Sequence, residues 1–509
     1  MATYSFDALI YGGLMGGINA AKRIADAGYT VAILEWNKFT GGLVTGGLGL
    51  PDYVANTDWG LTRTFFQRVE QAAIAAGASS DTYGYHPNGL IRRYAPDWAR
   101  VARNSYLNTP GITVVTDIEA VSVVKDPTTK AIQSITLSNG DVYRVNRPLA
   151  MMCAGYEGDL LRLAGVPLDY GRNSMASFNE INAGYRSDHY SAGNQRRVNA
   201  KGDVWPYYTM PPLNPTLGVG DTKTQGFDFR MTLSTEDNRR PFIPPPGFRI
   251  KDFLDWIDET NVRGMQTIES INSYQTIMPG LHTTNGNDWH GRAWGYPRMY
   301  SKAERLMEQA AYYYRHMGQF YVAMTDPRVP QAMRDNMALH GLPATHNTDE
   351  FIGTPGWSSA LYVRKCNTMR NEGILTFADM VSPGRQSKQD SMGIGGYNAD
   401  RHFVNNYPRP GTGFNAEGAL DDTGRGYYQV PFRACRPSLR HCTNIVTPWT
   451  LAVDDVFFSS YRMEPTSMAI GDALGIAMVA ALDLNIPVGL LDYGVIRERL
   501  VNAGAVLTY

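Results

Sequence analysis

Cysteine is scarce in this sequence. The 509 residues hold four, Cys153, Cys366, Cys435 and Cys442, too few for a disulfide framework, so a reducing compartment is expected. Cys435 and Cys442 flank a turn that carries His441, but the spacing matches no zinc pattern, and no metal is expected. An excess of charge of one sign is missing too. Lys and Arg number 47 against 48 Asp and Glu, a net charge of -1, which removes any bulk pull toward nucleic acid or membrane but leaves room for a local basic groove. Long hydrophobic runs are absent: the most apolar late stretch, 473–482, is shorter than a bilayer crossing needs. A strand-like run from Phe6 leaves no space for a cleavable leader. No repeat and no low-complexity segment is visible. These absences predict a soluble, cytoplasmic protein with no membrane partner, and they carry no signal for oligomeric state. What is plentiful is glycine, 51 residues, and tyrosine, 30, as suits tight turns and a polar-aromatic pocket in a chain long enough for two or three domains.

Phe6 to Tyr11 is a short apolar run, followed by glycines, a helical period over 18–27 and a second apolar run over 29–34. That is a strand–turn–helix–strand unit opening a parallel sheet. Helices are predicted over 61–76 and 97–107. Short strands at 113–116, 120–124, 132–137 and 142–145, separated by Asp-Pro and Asn-Gly turns, predict an antiparallel meander inserted in the α/β domain. The run 149–153 reads as a further central strand. From 167 to 440 the chain is rich in Pro, Asn, Tyr and Trp, and Pro241 to Phe248 excludes regular elements. Apolar strand character returns over 444–453, followed by helices over 465–482 and 493–502. The expected fold is α/β: a Rossmann-like domain with a β-meander (1–166, completed by 441–509) and a second α+β substrate domain with long loops (167–440).

The first turn reads Gly12-Gly13-Leu14-Met15-Gly16-Gly17, and Glu35 ends the second strand. Gly12 permits a tight turn, Gly17 lets helix and strand approach, and N–H groups at the helix start suit a pyrophosphate. A carboxylate at Glu35 accepts bonds from ribose hydroxyls. Leu14 stands where the middle glycine of G-x-G-x-x-G belongs, so backbone approach there must be arranged differently. Together these features point to a dinucleotide. Only one complete fingerprint occurs, which argues against a second nicotinamide site.

A glycine-rich stretch, Thr40-Gly41-Gly42-Leu43-Val44-Thr45-Gly46-Gly47-Leu48-Gly49, follows the ribose position. There the sequence resembles FAD-dependent oxidoreductases of the glutathione-reductase-like fold, and more narrowly the xanthan-lyase-like FAD-dependent oxidoreductases. Further blocks similar to that branch are Ala154-Gly155-Tyr156-Glu157-Gly158-Asp159-Leu160, Phe227-Asp228-Phe229-Arg230, Leu361-Tyr362-Val363-Arg364, Tyr397-Asn398-Ala399-Asp400 with His402, Tyr428-Gln429-Val430-Pro431-Phe432-Arg433 and Arg462-Met463-Glu464-Pro465. Residues 175–220 match poorly. The resemblance implies FAD as cofactor, held by the turn residues and Glu35, by Gly41, Gly42, Leu43, Val44, Thr45 and Gly46, and by Trp36, Val121, Ala154, Gly155, Met463 and Glu464. Pro465 suits a first helical turn, and Gly471 and Gly475 are expected to admit a planar ring.

His402, Tyr397, Arg364 and Arg433 are the candidates for chemistry. His402 reads equally as a base or as a hydrogen-bonded structural residue. Arg364 and Arg433 either clamp an anionic substrate group or pair with buried acids such as Asp400. Arg433 is ranked first because the strand before it is expected to end near the flavin. The leading expectation is an oxidoreductase acting on a C–N or C–O bond of a polar small molecule or modified nucleoside. Two others stand beside it. One is an amine oxidase or oxidative lyase acting on amino-acid-modified thymine in phage DNA, since related flavoproteins occur in phages that decorate thymine. Arg196, Arg197, Lys201, Trp205, Tyr207 and Tyr208 either grip a nucleotide or a nucleic-acid strand or, the favoured reading, form a loop with charged edges. The other is a flavin-binding scaffold without turnover.

Overall fold

A computed structural model describes residues 1–53, 57–186, 216–271, 273–346, 350–351, 353–381, 388–409, 413–422 and 426–508. The expected first strand is two. β1 (Thr3–Phe6) and β2 (Ala8–Tyr11) are split at Asp7, whose carboxylate accepts from the Thr30 N–H at 2.9 Å. β2 is the centre of a five-stranded parallel sheet. On one side lie β3 (Val31–Leu34) and then β4 (Ile112–Val115), and on the other Met151–Cys153 and then Ile445–Val446. The strand at 112–115 therefore belongs to the parallel sheet, correcting the four-stranded meander. The meander is β5 (Ala120–Lys125), β6 (Ile132–Leu137) and β7 (Val142–Val145), with β1 added parallel to β7.

Alternation places the core. On β2, Ala8 and Ile10 face one apolar cluster with Ile18, Ile24 and the helices, whereas Leu9 and Tyr11 face a second cluster with Ile132, Ile135 and Leu137 of the meander. A sheet covered on both faces needs such continuous apolar strands. The expected helices form as α1 (Met15–Asp26) and at Gly60–Ala75, Pro96–Leu107, Glu464–Leu484 and Tyr493–Asn502.

The helix Glu464–Leu484 is longer than the apolar run seen in the sequence. Its length and mean hydropathy of 1.6 meet what a membrane crossing needs, but 83% of that window is buried inside the protein. It lies across α1 at glycine-width separation. A Cβ on Gly471 would fall 2.3 Å from the Gly16 carbonyl oxygen, and one on Gly475 would fall 2.6 Å from Ala20 Cα. Gly471 and Gly475 therefore admit a helix, not a planar ring.

The segment 167–440 contributes a three-stranded antiparallel sheet (Thr232–Ser234, Leu281–Asn285, Ser273–Met278) and the helix Lys302–Thr325. That helix starts on a capping box in which Ser301 and Glu304 satisfy each other's backbone N–H, stabilising the end by about 1 kcal/mol. Its inner face carries Arg305, Gln309, Arg315 and His316 into the protein.

Candidate functional site

The turn between β2 and α1 is shaped by what lies beneath it. Gly12 has a φ of 103°, and a Cβ there would sit 2.1 Å from the Gly155 nitrogen. Gly17 is closed off by Ala154 Cβ at 2.6 Å and Ile10 Cγ2 at 3.2 Å, which is the close helix–strand approach expected of it. Gly16 meets the Ser467 carbonyl at 2.8 Å. α1 follows Leu14 with no side-chain cap and no acid in its first turn, so its first N–H groups are left for an anion. Leu14 lines the cavity beside the turn, and its Cδ2 would lie 2.4 Å from a Cβ on Gly42. The leucine is accommodated because its neighbour across the cavity is glycine.

At the end of β3, Glu35 accepts hydrogen bonds from Gly13 N–H at 2.5 Å and Asn37 N–H at 2.7 Å. Burial pushes its carboxyl up to about 8, with those two bonds opposing. Trp36, Asn37, Gly155, Tyr156 and Gln309 complete this cavity, and Gln309 Oε1 is buried without a hydrogen-bond donor. An uncapped helix start, a desolvated carboxylate and an orphaned acceptor fit an adenosine diphosphate moiety. Val121 does not join them: it stands on β5 with 48% of its surface exposed, because the register that buries Ala120 turns the next side chain outward.

The glycine stretch leads away from that cavity. Gly42–Gly46 is a short helix, and the Leu43 N–H donates to the Tyr156 hydroxyl at 2.8 Å. Tyr156 in turn donates to Glu464 Oε1 at 2.7 Å, and burial holds that carboxyl up at about 7. Met463, the buried residue before this helix, and Glu464 are thus tied to the glycine stretch. A Cβ on Gly47 would lie 2.2 Å from the Arg230 carbonyl, and one on Gly49 would lie 2.3 Å from Thr283 Oγ1. The backbone is threaded into a second cavity, of about 140 Å³, at Leu50 and Asp52.

The two cavities share a wall. Leu361 and Val363 line the first, whereas Tyr362 and Arg364 line the second, the alternation of an extended chain. Three of the four catalytic candidates, His402, Tyr397 and Arg364, line this second cavity with Arg230, Asp52 and Asp400. His402 Nδ1 is 2.5 Å from Asp288 Oδ2, and its Nε2 is 3.8 Å from Asp400 Oδ2. Asp288 is buried, and the Arg364 guanidinium and His402 hold its carboxyl well below the usual carboxylate range despite burial. Arg364 sits 2.8 Å from Asp288 and 3.3 Å from Asp228, over the Tyr362 ring at 3.9 Å. Of the two roles open to it, pairing with buried acids is the one the geometry gives. Asp400 is held instead by Arg462, at 2.9 Å. Burial raises the Tyr397 phenol.

Arg433 is elsewhere. It forms an ion pair with Asp390, with 43% of its side chain exposed, because the strand Tyr428–Pro431 ends in a 3-10 turn that carries it away from the cavity. The ranking that put it first is corrected. Asp52, Asp288 and Arg230 were not singled out by sequence. Asp52 follows the glycine stretch, Arg230 closes one of the similar blocks, and Asp288 carries no local signal. Arg196, Arg197, Lys201, Trp205, Tyr207 and Tyr208 lie outside the described residues.

A family model described as FAD dependent oxidoreductase matches residues 7–500. No curated protein matches the sequence. Solved structures similar to it include the L-amino acid deaminase from Proteus vulgaris lacking its specific insertion sequence, at 12% identity and a TM-score of 0.23, covering 34% of this chain and 60% of that one. NikD, an unusual amino acid oxidase essential for nikkomycin biosynthesis, is 16% identical with a TM-score of 0.23, covering 38% and 61%. Glycine oxidase from Geobacillus kaustophilus is 14% identical with a TM-score of 0.23, covering 32% and 60%. This chain thus spans about three fifths of the length of each, and likeness at this level carries no argument about its substrate.

Proposed function

This chain belongs to the FAD dependent oxidoreductase family, and from that premise we propose that it oxidises a C–N or C–O bond of a polar substrate, a small molecule or a modified nucleoside, in the cavity lined by His402. Its cofactor is FAD. Gly12 to Gly17, Glu35, Trp36, Gly41 to Gly46, Ala154, Gly155, Met463 and Glu464 are the residues we assign to holding it. When bound, FAD supplies the capacity to take up the two electrons that leave a substrate C–H bond.

The observation that carries the reading is the Asp288–His402 pair at 2.5 Å, with the second imidazole nitrogen 3.8 Å from Asp400 in the same cavity lining. A buried carboxylate that fixes one ring nitrogen selects the tautomer in which the other accepts a proton. His402 is assigned the proton of the substrate hydroxyl or ammonium group. Arg364 is a positioning residue, since it holds Asp288. The narrower xanthan-lyase-like placement and a cytoplasmic setting belong to the same proposal, the latter supported by four cysteines that are all buried and unpaired.

The test is anaerobic titration of the yellow holoprotein with amines, amino acids, sugars and modified nucleosides. At least one class should bleach the flavin band. If dithionite bleaches it and no member of the panel does, the assignment of substrate class is wrong.

A further inference from the structure

The second cavity holds a buried cation without an ion-pair partner among the described residues. Arg230 is 4% exposed and lines the cavity, yet among the described residues it has no carboxylate within ion-pair distance. Its Nε is buried without an acceptor, and Nη1 reaches only the Leu50 carbonyl, at 3.5 Å. Thr283, also 4% exposed, lines the same cavity with its hydroxyl equally unpartnered. Of the other charges in the lining, Arg364 is paired with Asp228 and Asp288, Asp400 with Arg462 and His402 with Asp288, while burial raises the carboxyl of Asp52 although Arg230 and Arg462 oppose it. A buried guanidinium left so is costly, and its planar fork fits a carboxylate through two parallel bonds.

Resting on the reading of this cavity as the substrate site, we infer that the substrate carries a carboxylate, which Arg230 and Thr283 receive. The class is set by charge and size. One unpaired guanidinium compensates one negative charge, and Asp52 and Asp400 in the same lining disfavour a dianion such as a phosphate monoester. A space of about 140 Å³ takes a small head group, with the rest of the substrate reaching outward. Arg230 is thus the specificity-determining residue, and it binds a different part of the substrate from the one whose proton goes to His402.

Calorimetric titration of the holoprotein with glycolate and glycine, and with their neutral amides glycolamide and glycinamide, tests this. The carboxylates should bind at least roughly tenfold more tightly than the amides, as expected for a hydrogen bond to a charged group. Arg230→Gln should bring the carboxylates down to the amide level with flavin content unchanged, and Arg230→Lys should recover part of the difference. Amides that bind as tightly as carboxylates, no binding of any of the four, or wild-type affinity in Arg230→Gln would overturn the inference. The wild-type comparison decides the matter should Arg230→Gln fail to fold. Carboxylate binding that depends on Arg230, without bleaching by any substrate, leaves the recognition standing and removes the oxidation reading. Bleaching by neutral substrates that is indifferent to Arg230 does the reverse.

Discussion

Glu35 accepts two backbone hydrogen bonds and still titrates near 8, because complete burial outweighs both. A ribose hydroxyl donating to it would favour the charged form. Glu35→Gln should therefore weaken FAD binding by about 1.5–3 kcal/mol, the range for a hydrogen bond to a charged group, measured by titrating apo-protein with FAD. An unchanged dissociation constant would place the ribose elsewhere. The two arginines singled out by sequence should behave oppositely. Arg433→Lys, in a half-exposed pair with Asp390, should leave reduction kinetics and stability within about 0.5 kcal/mol of wild type. Arg364→Ala strands Asp228 and Asp288 in the interior and should cost about 3–5 kcal/mol, as chemical denaturation would show. Both arginines sit in similar sequence blocks. Which one reaches the cavity depends on a 3-10 turn after Pro431 that has no sequence signature.

At the scale of elements, glycine spacing was legible but its partner was not. Gly12, Gly17 and Glu35 do what strand–turn–helix logic requires, since their contacts lie within one unit. Gly471 and Gly475 announce a close approach equally clearly, yet what approaches is α1, some 450 positions away in the chain, and no local pattern says so. The strand at 112–115 was visible as a strand. Its place beside β3 was not, because alternation reports faces and not neighbours. The α1 crossing gives a prediction. Gly471→Ala places a methyl 2.3 Å from the Gly16 carbonyl oxygen, which only backbone movement relieves. Overpacking of this kind costs about 1–3 kcal/mol, and because Gly16 lies in the cofactor turn, flavin occupancy should fall with the melting temperature. A variant that melts lower with full flavin would show that the crossing and the turn are independent.

Over the whole molecule, buried acids give stability a pH slope. Glu35 is raised from 4.5 to about 8 and Glu464 from 4.5 to about 7. The folded form keeps protons that the unfolded form has already released, so the contribution of each is present below 4.5 and is lost as pH rises through 7 to 8. Apo-protein should melt at progressively lower temperature from pH 5 to 8, less steeply in Glu35→Gln; equal slopes would mean that Glu35 is already ionised. The assembly as a whole sets the cavity we assign to FAD and a polar cavity on opposite sides of residues 361–364, with His402 lining the polar cavity and paired with Asp288. The most direct test is rapid anaerobic mixing of wild type and His402→Asn with whichever substrate bleaches the flavin. The variant should carry FAD in full and be reduced about 10²–10⁴ times more slowly, the usual contribution of a positioned base. Reduction at the wild-type rate would contradict the account and leave His402 a structural residue.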